Sequence, residues 1–342
     1  MNSIYLKINH YIRIMTNSYI DQWYLDNLVC PIDKSQLAYE NNQMHCIKHS
    51  HIYNIFRGIP IMLVDKYQKT NNLHSLRTVN IVEGREKLRF DLQRDLKKDE
   101  IDPLVQNIIA ETNSNFYTNA VGKLKTYTIP DFPISTNDNK HLLDVGCGWG
   151  RWCISSSKSG FDTIGIDPCI DSIMAAIRIS KQLNIKTKFV IGDARFLPFK
   201  KDLFDNCFSF SVFQHFIKDD VKKILDGINF TLKVGGVSNI HILNKYGLRS
   251  LCMQIKHFFK KYEYFQTTYW SSSDLITLFN IKIGNSKVVY LSFFTQAQYK
   301  DYHLFKPMHK LIFNISKVLN FIALKIPFIK YFADNIYIIS KK

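Results

Sequence analysis

The chain has 342 residues, of which 46% are hydrophobic and 22% are charged, and its formal net charge at pH 7 is +16. These values are typical of a globular protein and exclude disordered, fibrous and collagen-like chains. The seven cysteines are odd in number and scattered along the chain, which excludes a disulfide framework and indicates a reducing, intracellular compartment.

The first 19 residues have charged or polar side chains in every apolar stretch, so they lack the apolar core of a signal peptide. We predict that residues 1–19 are a disordered leader. No stretch of the chain approaches the roughly 18 consecutive apolar residues of a membrane span. The sequence therefore predicts a cytoplasmic protein that is at most peripheral at the inner membrane surface.

Cysteines and histidines are closely spaced in residues 20–66, between short strand-like runs. They form a C-x2-D half and a C-x2-H half, the spacing by which zinc ribbons hold two ligands on one tight turn. The stretch resembles the small zinc-ribbon domain of activators of tRNA and protein methyltransferases, whose halves are both C-x2-C. The resemblance implies either a Zn²⁺ site or a ribbon that folds without metal, in a structural or substrate-presenting role. The candidate ligands are Cys30, Asp33, Cys46 and His49, with His51 as an alternative.

The rest of the chain alternates between two kinds of apolar pattern. Residues 67–140 are polar with helical spacing and predict a helical connector or lid. After them, five strand-like runs alternate with amphipathic helical runs at 149–159, 170–183 and 219–232. This alternation predicts an α/β fold with a doubly wound parallel sheet. The strand-like runs are HLLDV, TIGID, KFVIGD, NCFSFSV and VSNIHIL.

A glycine-rich turn, GCGWG, follows the first of these strands. Glycines permit positive φ and let a ligand lie against the backbone at a helix N-terminus. A dinucleotide fingerprint would need a third glycine where Arg151 stands, and Asp144 would repel a pyrophosphate. S-adenosylmethionine has no phosphate but carries a sulfonium and an ammonium group, which a carboxylate attracts. The predicted cofactor-binding residues here are Asp144, Gly146, Cys147, Gly148 and Gly150.

Two further acids end the next two strands. Asp167 lies 23 residues after Asp144, where a carboxylate can accept hydrogen bonds from both ribose hydroxyls. Asp193 can accept from the adenine amino group while Ala194 offers its backbone N–H. Because parallel strands end at one edge of a sheet, we expect the three acids to share one crevice. Ser211, after the fourth strand, completes the predicted cofactor site.

The run LLDVGCGWGRW, followed by GIDP, GDARFLPF, FDNCFSFSVFQHF and LKVGG, resembles class I S-adenosylmethionine-dependent methyltransferases of the small-molecule and quinone-methylating group. The resemblance covers about residues 141–243. It implies methyl transfer (EC 2.1.1.-) and a Rossmann-like seven-stranded sheet whose last two strands form an antiparallel hairpin. Residues 286–294 and 335–341 suit those two strands. The methyltransferase domain is predicted to span residues 141–342, with a substrate-recognition insertion at about 244–285.

Methyl transfer requires alignment of the acceptor with the methyl group, and an oxygen acceptor also requires a base. His215, just past the fourth strand, is the best-placed base; the alternative roles are packing on the first turn of a helix or shaping the cofactor pocket. His241 and Tyr246 are weaker candidates. The Asn/Asp-Pro-Pro-Tyr/Phe signature of methyltransferases that modify exocyclic amines is absent after the fourth strand.

The C-terminal third is basic, because residues 241–342 hold 15 Lys and Arg against 4 Asp and Glu. Within it, apolar residues recur at helical spacing from position 308 to 322. This pattern predicts either a helix that covers the sheet or lids the substrate pocket, or a basic amphipathic helix on a membrane surface.

The sequence therefore predicts an enzyme that transfers methyl from S-adenosylmethionine to an oxygen or nitrogen of a small, lipid-linked or glycan acceptor. The first alternative is an rRNA or tRNA base methyltransferase, for which the basic C-terminus would contact phosphates. The second is a non-catalytic, methyltransferase-like binding or scaffold protein.

Overall fold

A computed structural model gives the fold. The predicted leader, residues 1–19, lies outside the described residues. Within the described part of the chain, no helix is long and apolar enough to cross a membrane. The described residues are 20–64, 73–89, 96–97, 99–134, 136, 138–259 and 267–342.

The strands predicted from the sequence occur within a few residues of their expected positions. The N-terminal strands are β1 (Leu37–Glu40), β2 (Gln43–Cys46), β3 (Ile52–Phe56) and β4 (Ile59–Met62). The central strands are β5 (His141–Val145), β6 (Asp162–Asp167), β7 (Lys188–Gly192), β8 (Phe204–Phe210) and β9 (Leu232–Leu243). The C-terminal strands are β10 (Asn285–Ser292) and β11 (Asn335–Lys341), which pair antiparallel.

Helices cover both faces of the sheet and connect its strands. Those before the central strands are α1 (Gln22–Asn27), α2 (Leu73–Val82) and α3 (Pro103–Thr112). Those between the central strands are α4 (Arg151–Lys158), α5 (Ile170–Gln182) and α6 (Lys218–Thr231). The remaining ones are α7 (Leu248–Phe259), α8 (Ser272–Lys282) and α9 (Pro307–Lys325).

The described strands form one sheet in the order β1-β2-β3-β4-β7-β6-β5-β8-β9-β11-β10. Strands β4 to β9 pair in parallel, and the two ends of the sheet are antiparallel. The central strands are buried along most of their length because helices cover both faces. Leu143, Ile164 and Val190, one from each of three neighbouring strands, are fully buried. The α/β class and the mostly parallel sheet predicted from the sequence are confirmed.

The described residues form one sheet of eleven strands, because the four N-terminal strands join the edge of the seven strands in residues 141–342. Strand β4 runs parallel to β7, with Ile61 opposite Ile191 and Met62 opposite Gly192. Ahead of this short pairing, the buried hydroxyl of Tyr24 donates to the Phe189 carbonyl at 2.9 Å and accepts from the Phe189 N–H at 3.2 Å. The N-terminal region is thus continuous with the central sheet.

The segment between β4 and β5 packs on the outside of α5. Arg77 of α2 forms an ion pair with Asp171 at 2.7 Å, and Asp102 before α3 pairs with Arg178 at 2.9 Å. Helices α7 and α8 lie in the predicted insertion at 244–285. The described parts of the segment predicted to be a helical connector therefore pack on α5.

Candidate functional site

The glycine turn after β5 contains both tightly packed and open positions. Gly148 and Gly150 have φ of +53° and +79°, which L side chains rarely adopt. A Cβ at Gly150 would lie 2.8 Å from the Cβ of Ala176, whereas a Cβ at Gly148 would have no atom within 4 Å. Gly150 is therefore required by helix packing, while Gly148 borders open space where a ligand can lie against the backbone.

Asp167, at the end of β6, holds this turn in place. Its Oδ2 accepts from the backbone N–H of Gly148 at 3.0 Å, and its Oδ1 accepts from the N–H of Cys169 at 2.9 Å. Each carboxylate oxygen has a second lone pair. Asp167 can therefore accept further hydrogen bonds from a ligand without releasing the turn.

Asp144, inside β5, is almost completely buried at 1% exposure. Burial raises the pKa of its carboxyl group to about 7, and the Cys153 thiol donates a hydrogen bond to Oδ2 at 3.3 Å. A cation arriving at this carboxyl would favour its charged form and lower that pKa. Asp144 therefore suits a cationic ligand and opposes an anionic one.

Asp193, after β7, has a partner that the sequence analysis missed. Arg195 forms an ion pair with it at 2.6 Å, and the Arg195 backbone N–H donates to Oδ1 at 2.9 Å. The same guanidinium lies 3.3 Å from Asp220 of α6. A ligand amino group would share the Asp193 carboxylate with Arg195, next to the buried Ala194. Only the position of Arg195 two residues downstream could have signalled this pairing.

The predicted trio of acids thus lies on three adjacent parallel strands in the order β7-β6-β5. Their carboxylates occupy the strand ends at the edge where α/β sheets bind ligands. The carboxylates and the open position at Gly148 fit the hydroxyl and amino groups of S-adenosylmethionine. A pyrophosphate would meet the carboxylate of Asp167 beside the open position.

Ser211 and His241 form a pair on the ends of β8 and β9. The Ser211 hydroxyl is 2.9 Å from His241 Nδ1, and the Ser211 backbone has a φ of +60°. His241 is 1% exposed, and its ring stacks on that of Phe210 at a centroid distance of 4.1 Å. Burial lowers the pKa of His241 to about 3, so it is neutral at physiological pH. A strained non-glycine residue beside a buried neutral imidazole is typical of a functional site.

His215, the predicted base, lies in a single 3-10 turn over residues 213–215. Its side chain is exposed to solvent. Desolvation by the surrounding protein lowers its pKa, and a hydrogen bond with the backbone at Ser211 partly offsets this effect. His215 is therefore neutral and accessible near pH 7, as a base must be. Tyr246 is 49% exposed beyond the end of β9.

Arg151, the first residue of α4, is a further basic group that the sequence analysis left without a role. Its guanidinium lies 5.2 Å from the centre of the Phe210 ring and 5.9 Å from that of Trp152. Desolvation by burial lowers its pKa. No ion pair joins Arg151 to any acid among the described residues. A half-buried guanidinium with aromatic contacts, whose charge interacts with Asp144 without a direct ion pair, can bind a ligand anion.

A cavity of about 430 Å³ adjoins this region. The Trp152 ring on its wall lies 4.9 Å from the Phe210 ring, which in turn stacks on His241. The cavity therefore shares an aromatic wall with the Ser211–His241 pair. Its lining includes Trp152, Leu291, Phe313, Lys317, Asn320 and Tyr337.

A second cluster of chemical groups lies in the N-terminal strands. One ligand atom from each of four residues lies within 4.8 Å of the others. Cys30 Sγ is 3.5 Å from His51 Nδ1, and Cys46 Sγ is 3.6 Å from Asp33 Oδ2. The structure includes His51 in this cluster and places His49 outside it, with its Nδ1 3.6 Å from Asp33. The cluster consists of Cys30, Asp33, Cys46 and His51.

Comparison with known proteins agrees with this geometry. Residues 142–236 match the family described as "Methyltransferase domain". Over 114 residues the chain is 34% identical to "Arginine-hydroxylase NDUFAF5, mitochondrial" of Homo sapiens, covering 33% of this chain and 30% of that protein. Over 135 residues it is 28% identical to "Ubiquinone biosynthesis O-methyltransferase" of Pelagibacter ubique, covering 38% and 55%. The structure of "a SAM dependent methyltransferase from Archaeoglobus fulgidus" aligns at 18% identity and a TM-score of 0.41, covering 60% of this chain and 87% of that one.

The family match covers residues 142–236, less than a third of the chain, and this range contains the glycine turn and the three strand-end acids. The chain covers between 30% and 55% of the length of the two curated relatives named above.

Proposed function

We propose that this chain is an active S-adenosylmethionine-dependent methyltransferase that methylates an oxygen or nitrogen of a small, lipid-linked or glycan acceptor. One observation carries the proposal, the meeting of three carboxylates with an open glycine position at one sheet edge. Asp144, Asp167 and Asp193 supply the carboxylates, and Gly148 supplies the open position.

Each cofactor-binding residue has a role that follows from its contacts. Asp144 attracts the cationic end of the cofactor, and Asp167 accepts from the ribose hydroxyls while it holds the turn. Asp193 and the Ala194 N–H face the adenine. Arg151, which lies beside aromatic rings and interacts electrostatically with Asp144, binds the carboxylate of the cofactor's methionine part. When bound, the cofactor supplies an activated methyl group.

The proton of the acceptor needs a destination as its oxygen or nitrogen takes the methyl group. We propose that His215 accepts this proton, because its imidazole is neutral near pH 7 and is exposed to solvent. The buried Ser211–His241 pair then shapes the site beside the acceptor. The cavity on the far side of the Phe210 ring is the proposed acceptor pocket, because its walls are largely apolar.

The two curated relatives are named for different reactions. The protein from Pelagibacter ubique is named as an O-methyltransferase, which favours an oxygen acceptor here. The human protein is named as an arginine hydroxylase, so a related domain performs a different reaction. Methyl transfer therefore has to be measured directly.

The test uses purified chain, methyl-labelled S-adenosylmethionine and an extract of cells of the source organism. Label is followed into lipid, glycan, RNA and protein fractions, with Asp167→Ala as the blank and the exposed Asp138→Ala as its matched control. Label in a lipid or glycan fraction that Asp167→Ala abolishes and Asp138→Ala preserves supports the proposal. Label that ribonuclease releases would instead identify an RNA methyltransferase. Failure of the wild-type chain to bind the cofactor would identify a methyltransferase-like scaffold.

We also propose that the N-terminal cluster holds Zn²⁺. Two cysteines, one histidine and one carboxylate are a donor set that zinc accepts in tetrahedral sites. The four donors already lie close together, and Cys30 is fully buried. A metal there would fix the turns that support β2 and β3, and so would act structurally rather than in catalysis.

A further inference from the structure

Helix α9 leaves many of its large apolar side chains exposed. Met308, Leu311 and Val318 are 64%, 54% and 57% exposed, and Phe321 and Leu324 are 62% and 80% exposed. The 3-10 segment that follows continues this surface. The apolar face of α9 consists of Met308, Leu311, Ile315, Val318, Phe321, Leu324, Ile326 and Phe328.

The opposite side of α9 is fixed to the protein partly through polar contacts. The Ser316 hydroxyl donates to the Phe293 carbonyl at 2.6 Å, and the side-chain oxygen Oδ1 of Asn320 accepts from the Phe293 N–H at 3.2 Å. Ser316 and Phe313 are the buried residues of the helix. A helix of a globular protein normally turns its apolar stripe toward the core, whereas α9 buries Phe313 and leaves six large apolar side chains exposed. Exposed apolar patches of this kind mark an interaction surface.

The charge around the apolar face has a single sign. The 32 residues between Asp301 and Asp334 contain five lysines and no acidic residue. Lysine stems can lie along an apolar surface while the ammonium groups reach anionic head groups. If a second copy of the chain docked on this face, its five lysines would lie against the five lysines of the first copy and repel them. The lysines are Lys306, Lys310, Lys317, Lys325 and Lys330.

We propose that the apolar face of α9 docks on an anionic lipid bilayer, with the helix lying in the plane of the interface. The exposed side chains enter the boundary between head groups and acyl chains, and Lys306 and Lys325 contact lipid phosphates. The inner side of the same helix lines the cavity beside Trp152 through Phe313, Lys317 and Asn320. Docking therefore places the cavity at the membrane surface, where a lipid-linked acceptor resides. This last step rests on the proposed function, whereas membrane binding does not.

The test is flotation of the full chain with vesicles of phosphatidylcholine, with or without phosphatidylglycerol. We expect the wild-type chain to float with the anionic vesicles, and the double variant Leu311→Asp/Val318→Asp to lose at least about tenfold in partitioning. Val234→Asp changes a residue that is 85% exposed on β9 and should float like the wild type. Lys306→Gln/Lys325→Gln should bind anionic vesicles about tenfold or more weakly.

Three results would overturn the proposal. The first is failure of the wild-type chain to float with anionic vesicles, and the second is flotation of the aspartate double variant as well as the wild type. Alternatively, light scattering without lipid would show a dimer that the double variant dissociates, which would assign the face to a second copy. Cofactor binding is measured on the same samples, so failure of membrane docking is distinguished from failure of the methyltransferase proposal.

Discussion

Substituting alanine for Gly148 and, in a second variant, for Gly150 distinguishes a role in cofactor binding from a role in helix packing. Both positions have positive φ, so alanine costs about 1–2 kcal/mol of stability at either one. At Gly150 the new methyl group would also lie 2.8 Å from the Cβ of Ala176, which adds about 1–3 kcal/mol of overpacking. At Gly148 the methyl group would enter open space and have no such contact.

The two variants should therefore fail in different assays. For a chain of this length, each kcal/mol lowers the melting temperature by about 1–2 °C, so Gly150→Ala should melt several degrees below Gly148→Ala. Calorimetric titration should show the larger loss of S-adenosylmethionine affinity in Gly148→Ala, by about 5- to 150-fold if the methyl group costs 1–3 kcal/mol in the complex. Wild-type affinity in Gly148→Ala would refute the placement of the cofactor. Equal melting temperatures would refute the packing argument.

Tyr24→Phe removes two buried hydrogen bonds to Phe189 and should lower the free energy of unfolding by about 2–3 kcal/mol in chemical denaturation, whereas Tyr39→Phe, 43% exposed, should change little. The pKa of Asp144 is about 7 in the folded chain because of burial, and it is about 3.9 in the unfolded chain. The folded state therefore holds a proton that the unfolded state releases, and stability falls as pH rises from about 4 to 7, by up to about 1.4 kcal/mol per unit. Asp144→Asn should lose this slope when unfolding is measured across that range without cofactor, and an unchanged slope would contradict its cause. Mass spectrometry of metal content should find one Zn²⁺ per chain in the wild type and His49→Ala but not in His51→Ala, and chelation should lower the melting temperature.

The sequence pattern predicted the strands and helices whose positions depend on neighbouring residues alone. Alternating strand-like and amphipathic runs located the parallel strands, because each pattern reflects the faces that its own residues bury. The acids at the strand ends could be placed at one edge of the sheet because parallel strands end together. The side chains that pair with these acids could not be predicted. Arg195 competes for Asp193 only because a 3-10 turn folds its guanidinium back onto the carboxylate.

Long-range features were beyond the sequence. The pairing of β4 with β7 joins segments about 130 residues apart, and neither strand encodes its neighbour. The spacing of apolar residues in α9 predicted a helix but not the side that faces the protein, which the contacts of Ser316 and Asn320 with Phe293 determine. The choice of His51 over His49 as the neighbour of Cys30 likewise depends on how the loop between β2 and β3 curves.

The docking of β4 on β7 also bears on solubility. Without its N-terminal neighbours, β7 would be an edge strand of sequence KFVIG, apolar and almost fully buried in the intact chain. Such an edge offers unpaired N–H and C=O groups to any other strand and is a template for aggregation. In the folded chain, β4 and the Tyr24 hydroxyl form hydrogen bonds with β7, and among the described residues the outermost strand on this side is β1, which is short, exposed and ends in Glu40. A truncated chain that begins after the N-terminal strands would therefore precipitate through self-pairing of β7, with its cofactor-binding residues unchanged.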